Sequence, residues 1–180
     1  METDAALFLY LNRALCGEAA TLFFSTMTHL GNGLVLALMI LPPLFWRRRA
    51  DFKTHALPLV LAVAVSGGVV NLLKPIVDRP RPGQRFAAEG VDVHIPAGTP
   101  SDKAFPSGHT QTAFGAAVYL SCMYPGWSPL FLTLAAIVGL SRIAIGVHYP
   151  LDVLVGALFG TAFSIVAYRL VKRRQAAWRP

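Results

Sequence analysis

The sequence predicts an all-α integral membrane helical bundle, with about five transmembrane helices and an N-terminal helix lying along the bilayer surface. Three observations lead there. Hydrophobic residues make up 54% of the chain and charged residues only 14%, against roughly a quarter charged in ordinary soluble domains. Apolar stretches recur at about the ~20-residue length that crosses hydrocarbon. Basic residues gather at the ends of those stretches, as the positive-inside rule requires.

The N-terminus, METDAALFLYLNR, opens on acidic residues and lacks the basic region of a cleavable signal peptide. A span over residues 5–15 would bury Asn12 and Arg13 at mid-depth, which is costly in hydrocarbon. An amphipathic helix on the outer interface is expected there instead, then a helix entering the bilayer. A sixth span is the alternative. Apolar character breaks around Cys16-Gly17-Glu18 and again at Gly31-Asn32-Gly33. Spans are then expected over 30–46, 56–73, 107–124, 129–147 and 150–171.

Orientation follows from charge. Nine of the sixteen basic residues fall in two clusters, Arg47, Arg48, Arg49 and Lys53, and Arg169, Lys172, Arg173, Arg174 and Arg179. Both clusters belong on the cytoplasmic side, which puts residues 74–106 outside as an extramembrane loop over the site. Trp46, Tyr124, Trp127 and Tyr149 sit at span ends, as in an aromatic belt. Gly67, Gly68, Gly115, Gly139, Gly156 and Gly160 read as close helix packing. Residues 1–180 form a single domain in this reading. The net charge of +7 is not arranged as the basic stripe that nucleic-acid binding needs. Cys16 and Cys122 fall near opposite faces and have no metal-ligand spacing, so they read as structural thiols.

Three patches carry polar residues that an apolar chain would avoid: Lys74 to Arg81-Pro82, Pro106-Ser107-Gly108-His109, and Ser141-Arg142 to His148 and Asp152. The crossings bring all three to the outer face. Lys74, Arg81 and Arg142 can surround a tetrahedral oxyanion, the arginines with fork geometry. Ser107 and Gly108 precede a helix whose N-terminal N–H groups favour an anion. Asp152 can fix the tautomer of His148 and free its other nitrogen to attack. His109 is placed to protonate a departing oxygen. A zinc site on His109, His148 and Asp152 is disfavoured by the three cations beside it. Arg79, Arg85, Lys103 and His94 read as interfacial or head-group-contacting residues, His29 and His55 as structural, and Asp78 and Glu89 as solvated charges.

The patches resemble the tripartite signature KxxxxxxRP, PSGH and SRxxxxxHxxxD of the type 2 phosphatidic acid phosphatase superfamily. Lys74, Arg81-Pro82, Pro106 to His109, Ser141-Arg142, His148 and Asp152 match it in order and internal spacing. The resemblance implies a metal-independent phosphatase with no cofactor, working through a phosphohistidine on His148. His109 would be the general acid, with Lys74, Arg81, Ser107, Gly108 and Arg142 holding the phosphoryl group. The family's soluble vanadate-binding haloperoxidases are excluded by the apolar spans.

The expected substrate is a membrane lipid phosphate or diphosphate. Undecaprenyl diphosphate is favoured by the small chain, with phosphatidylglycerol phosphate, phosphatidic acid and a lipid A phosphate as further candidates. A phosphotransferase on the same site shares the first half-reaction. A transporter or scaffold that only binds an anion has no use for a His–Asp pair beside a second His. The setting expected is a bacterial inner membrane with the site facing the periplasm, no nucleic-acid partner, and an oligomeric state left open.

Overall fold

The computed structural model describes residues 2–177, which form eight α-helices and no strand. Arg179 of the basic tail lies outside the described residues. α1 (Glu2–Ala14) and α2 (Glu18–Met27) lead through a 3-10 turn, Thr28–Gly31, into α3 (Gly33–Arg47). α4 (Arg49–Val77), α5 (Pro82–Ala88), α6 (Gly108–Met123), α7 (Ser128–Ala144) and α8 (Pro150–Ala177) follow. Each of the five expected spans is helical, and the differences lie at their ends.

The expected basic loop shrinks to one residue. Arg47 ends α3, Arg49 begins α4, and only Arg48, at φ −137° and ψ 52°, breaks the path. Long cationic side chains can reach water from inside a helix, so the cluster does not stop the coil. Arg48 bonds Asp51 at 3.0 Å, and the Tyr124 hydroxyl donates to Asp51 at 2.8 Å. That contact places the end of α6 beside the start of α4, as alternating crossings require. α4 stops where Asp78 turns left-handed at φ 50°, two residues before Pro80. α7 stops short of the expected position 147 because Gly146 turns at φ 78°.

Among the described residues, three segments are long and apolar enough to cross a bilayer: Arg49–Ala88, Pro125–Ala144 and Pro150–Ala177. Glu18–Gly31 and Gly33–Arg47, bent by 68°, qualify together as one broken span. α6, with 16 residues, extends about 24 Å at the helical rise, short of the ~30 Å hydrocarbon core. It begins among buried residues, Ser107, Thr110 and Gln111, rather than at the surface, so it needs less length. The side-chain distribution is that of a protein dissolved in lipid. Leu34, Leu38, Leu72, Ile76 and Leu158 face outward while Ser66, Thr110, Gln111 and Ser164 are buried. The protein is therefore a membrane protein.

α6 and α8 share the most extensive interface, and small residues set it. A Cβ on Gly156 would lie 2.4 Å from the Ser107 carbonyl oxygen, and one on Gly160 would lie 2.2 Å from that of Gln111. One turn further, the Ser164 hydroxyl donates to the Gly115 carbonyl at 2.6 Å. The backbones meet along Ser107, Gln111 and Gly115 because α8 offers only Gly156, Gly160 and the small Ser164 there.

α1, at 13 residues, is too short to cross and lies over the pocket end of the bundle. Phe8 stacks on Phe86 at 5.6 Å and meets Tyr149 edge-on at 5.5 Å. Asn12 donates to the carbonyls of His94, Ile143 and Ala144, which satisfies a polar group that would be costly in lipid. Tyr149, expected in the aromatic belt, is instead 1% exposed within this cap. The Arg79 guanidinium over its ring at 3.9 Å and the Phe8 contact hold it inside.

Candidate active site

The three polar patches meet at one end of the bundle. Lys74 comes from the last turn of α4 and Arg81 from the residue capping α5. His109 lies in the first turn of α6, Arg142 in the last turn of α7, and Asp152 in the first turn of α8. His148 sits in the turn between α7 and α8. Its backbone N–H and that of Val147 both bond the Arg142 carbonyl at 3.1 Å, which folds the turn back over the helix end. Pro150 then starts α8 at a position where a missing N–H is harmless.

His148 is 2% exposed and its two nitrogens face different groups. Nε2 lies 3.2 Å from Nη1 of Arg81, on the cation side. Nδ1 lies 3.4 Å from Oδ2 of Asp152. Asp152 is fully buried and has closer partners: Arg79 Nη1 at 2.6 Å and the Tyr149 N–H at 2.9 Å. Burial pushes the His148 imidazole well below its ordinary value, and the charges of Arg142, Arg81, Lys74 and His109 push it the same way. A neutral ring with Nε2 beside the Arg81 guanidinium is the form that can act as a nucleophile.

The residues expected to hold an anion lie near one another, with Lys74 and Arg81 sharing the Asp102 carboxylate. Arg81 is held by Nη1 donating to the Val147 carbonyl at 2.8 Å and Nε donating to the Asp102 carbonyl at 3.0 Å. Arg142 is 8% exposed; its Nη1 donates to the Thr28 hydroxyl at 2.6 Å, and its Nε is buried with no partner among the described residues. A buried guanidinium with an unused donor is costly unless an acceptor arrives. The Ser107 hydroxyl accepts from Thr110 Oγ1 at 2.9 Å, which leaves its own proton to donate. The Ser107 backbone N–H is already engaged, donating to the Asp152 carbonyl at 3.0 Å. Gly108 and His109 remain as first-turn N–H donors with no preceding helical carbonyl. Gly31 lets the turn before α3 approach His109, since a Cβ there would lie 2.7 Å from that of His109.

Two site residues escaped the sequence reading. Arg79, expected at the interface, is 7% exposed and bridges Asp152 and Asp4, the latter at 2.5 Å. Asp4 also accepts from the Leu151 N–H at 2.9 Å, tying α1 to the start of α8. Asp102, unremarked in the sequence, accepts from both Lys74 and Arg81. The only signal was its place in a loop packed with charge. Among the described residues no group of three or more His, Cys, Asp or Glu side chains could hold a metal ion.

Comparison with known proteins agrees with this architecture. Residues 55–176 match the model of the PAP2 superfamily. The lipid A 1-phosphatase of Rhizobium johnstonii is 34% identical over 109 residues, covering 60% of this chain and 44% of the relative. The chain thus spans about half the length of the curated relatives it matches first. The decaprenylphosphoryl-5-phosphoribose phosphatase of Mycobacterium tuberculosis is 33% identical over 149 residues, 83% of this chain and 77% of the relative. The crystal structure of Aquifex aeolicus LpxE superposes with a TM-score of 0.76 at 34% identity, covering 91% of this chain and 93% of that one. The transmembrane PAP2-type phosphatidylglycerolphosphate phosphatase of Bacillus subtilis shares the fold, with a TM-score of 0.69 at 23% identity over 99% and 87% of the two chains. With its motifs gathered at one end of a helical membrane bundle, the chain belongs to the PAP2 superfamily.

Proposed function

We propose that the protein is a membrane phosphatase that removes a terminal phosphate from a lipid through a phosphohistidine on His148. The observation that carries this reading is the orientation of that ring, Nε2 toward Arg81 and Nδ1 toward Asp152. Lys74, Arg81, Arg142, Ser107 and the first-turn N–H groups at Gly108 and His109 hold the phosphoryl oxygens. Nε2 attacks phosphorus, the bond from phosphorus to the lipid oxygen breaks, and His109 protonates that oxygen. Water then attacks the phosphohistidine and releases inorganic phosphate. No metal enters either step.

The substrate class is a lipid with a terminal phosphate or diphosphate. The activities of the relatives, on lipid A and on a decaprenyl-linked phosphoribose, support that class. Undecaprenyl diphosphate, phosphatidylglycerol phosphate and phosphatidic acid belong to it. The basic residues at the opposite ends of the helices support a bacterial inner membrane with the site on the periplasmic side. Detergent-purified protein is expected to release phosphate from such a lipid in the presence of a chelator, and His148→Ala to release none. Full activity in that variant rules out the mechanism. His109→Ala is expected to slow turnover by about 10²–10⁴-fold. Transfer to a second lipid shares the first step, and labelled donor distinguishes it by carrying label to lipid rather than to free phosphate.

A further inference from the structure

Asp102 stands where a substrate oxyanion would be held. Its two carboxylate oxygens are divided between two cations of the pocket, Oδ2 with Lys74 and Oδ1 with Arg81. It approaches from outside: its side chain is 50% exposed, while those of Lys74 and Arg81 are 16% and 4% exposed. The segment carrying it is irregular, anchored behind by the Ala104 N–H bonded to the Arg79 carbonyl at 2.9 Å. Burial alone would raise the Asp102 carboxyl, yet hydrogen bonds and charge from Lys74 and Arg81 hold it at about 2. It is an anion under all ordinary conditions.

We propose that Asp102 is an internal competitor for the phosphoryl pocket, raising the affinity an anion needs so that phosphate monoesters and diphosphates fill the pocket while membrane phosphodiesters leave it open. This rests on the phosphatase reading above. A terminal phosphate brings a charge of about −1.5 to −2 and three acceptor oxygens, so exchanging it for a carboxylate gains charge and contacts. A phosphodiester brings a single charge and gains little over Asp102. Phosphodiester lipids outnumber any lipid monoester in a membrane, and a pocket of bare cations would be filled by them. The carboxylate weakens every anion by the same factor, so the weakly bound phosphodiester falls below half-occupancy at its membrane concentration while a terminal phosphate stays above it.

The test uses the full chain in detergent micelles, as wild type, Asp102→Asn and Asp102→Glu. Binding of inorganic phosphate is measured by calorimetry, and hydrolysis of phosphatidic acid held well below its KM is followed as phosphatidylglycerol, a phosphodiester, is added. If the carboxylate fills about nine tenths of the pockets, Asp102→Asn binds phosphate roughly tenfold tighter and becomes inhibited by phosphatidylglycerol. Wild type resists that inhibition, and Asp102→Glu, which keeps the charge, stays nearer wild type than the amide. Unchanged or weaker phosphate binding in Asp102→Asn overturns the proposal, as does equal inhibition of wild type and Asp102→Asn. Because calorimetry does not require turnover, a wild type that hydrolyses no lipid phosphate would remove the activity without removing this result.

Discussion

Arg79 joins Asp152 to Asp4 from a buried position, and that pair holds the start of α8 under His148. Removing one partner of a buried ion pair leaves an uncompensated charge and costs about 3–5 kcal/mol. Arg79→Ala is therefore expected to lower the unfolding temperature in detergent and to reduce turnover. Arg79→Lys should recover only part of both, since an ammonium lacks the planar fork that serves two carboxylates. His148 leads to a second expectation. Its folded value lies well below 6.5, so on acidification the unfolded chain takes up a proton before the folded one does. This site's contribution to stability thus falls as pH drops below that value. Ring-labelled histidine NMR, assigned with His148→Asn, should find the ring still neutral at about pH 6; protonation already there contradicts the burial argument. The residues of the three motifs were readable because charges and imidazoles are rare in an apolar chain. Arg79 and Asp102 were not, because in a segment dense with Pro, Gly and charge each resembles a solvated side chain. Their partners lie 73 and 28 or 21 residues away.

The seam between α6 and α8 positions Ser107 and Asp152 together, because the Ser107 N–H bonds the Asp152 carbonyl and Gly156 lies one turn below. Gly160→Ala would place a methyl group against the Gln111 carbonyl at mid-seam, where backbone cannot yield as a side chain can. Such overpacking costs about 1–3 kcal/mol, and thermal unfolding should register it. Gly156→Ala meets the Ser107 carbonyl and should lower turnover as well. The spanning helices follow from apolar length alone and the glycines of this seam from close packing, whereas α5, inside the expected loop 74–106, has no such signal. Helix ends were less readable. Nothing in the local pattern marks Arg48 as the single break between α3 and α4. α7 ends early because the turn at Gly146 packs under the His94 carbonyl, 2.4 Å from where a Cβ would stand. That contact joins positions far apart in sequence.

The bundle as a whole converts three separated motifs into one pocket, and it does so only if the crossings alternate. Cys16 is exposed at the pocket end, and Gly126, in the turn beyond α6, has open space around it. Cys16 alone, or Gly126→Cys in a chain without other thiols, should react with a membrane-impermeant maleimide from opposite sides of sealed vesicles. Labelling from one side would break the topology and the placement of the site with it. The chemistry itself has a more direct measure. Protein mixed with lipid carrying a ³²P-labelled terminal phosphate and quenched in alkali should hold acid-labile label on the peptide containing His148. Label absent from that peptide, or equal label on His148→Ala, would contradict the phosphohistidine account.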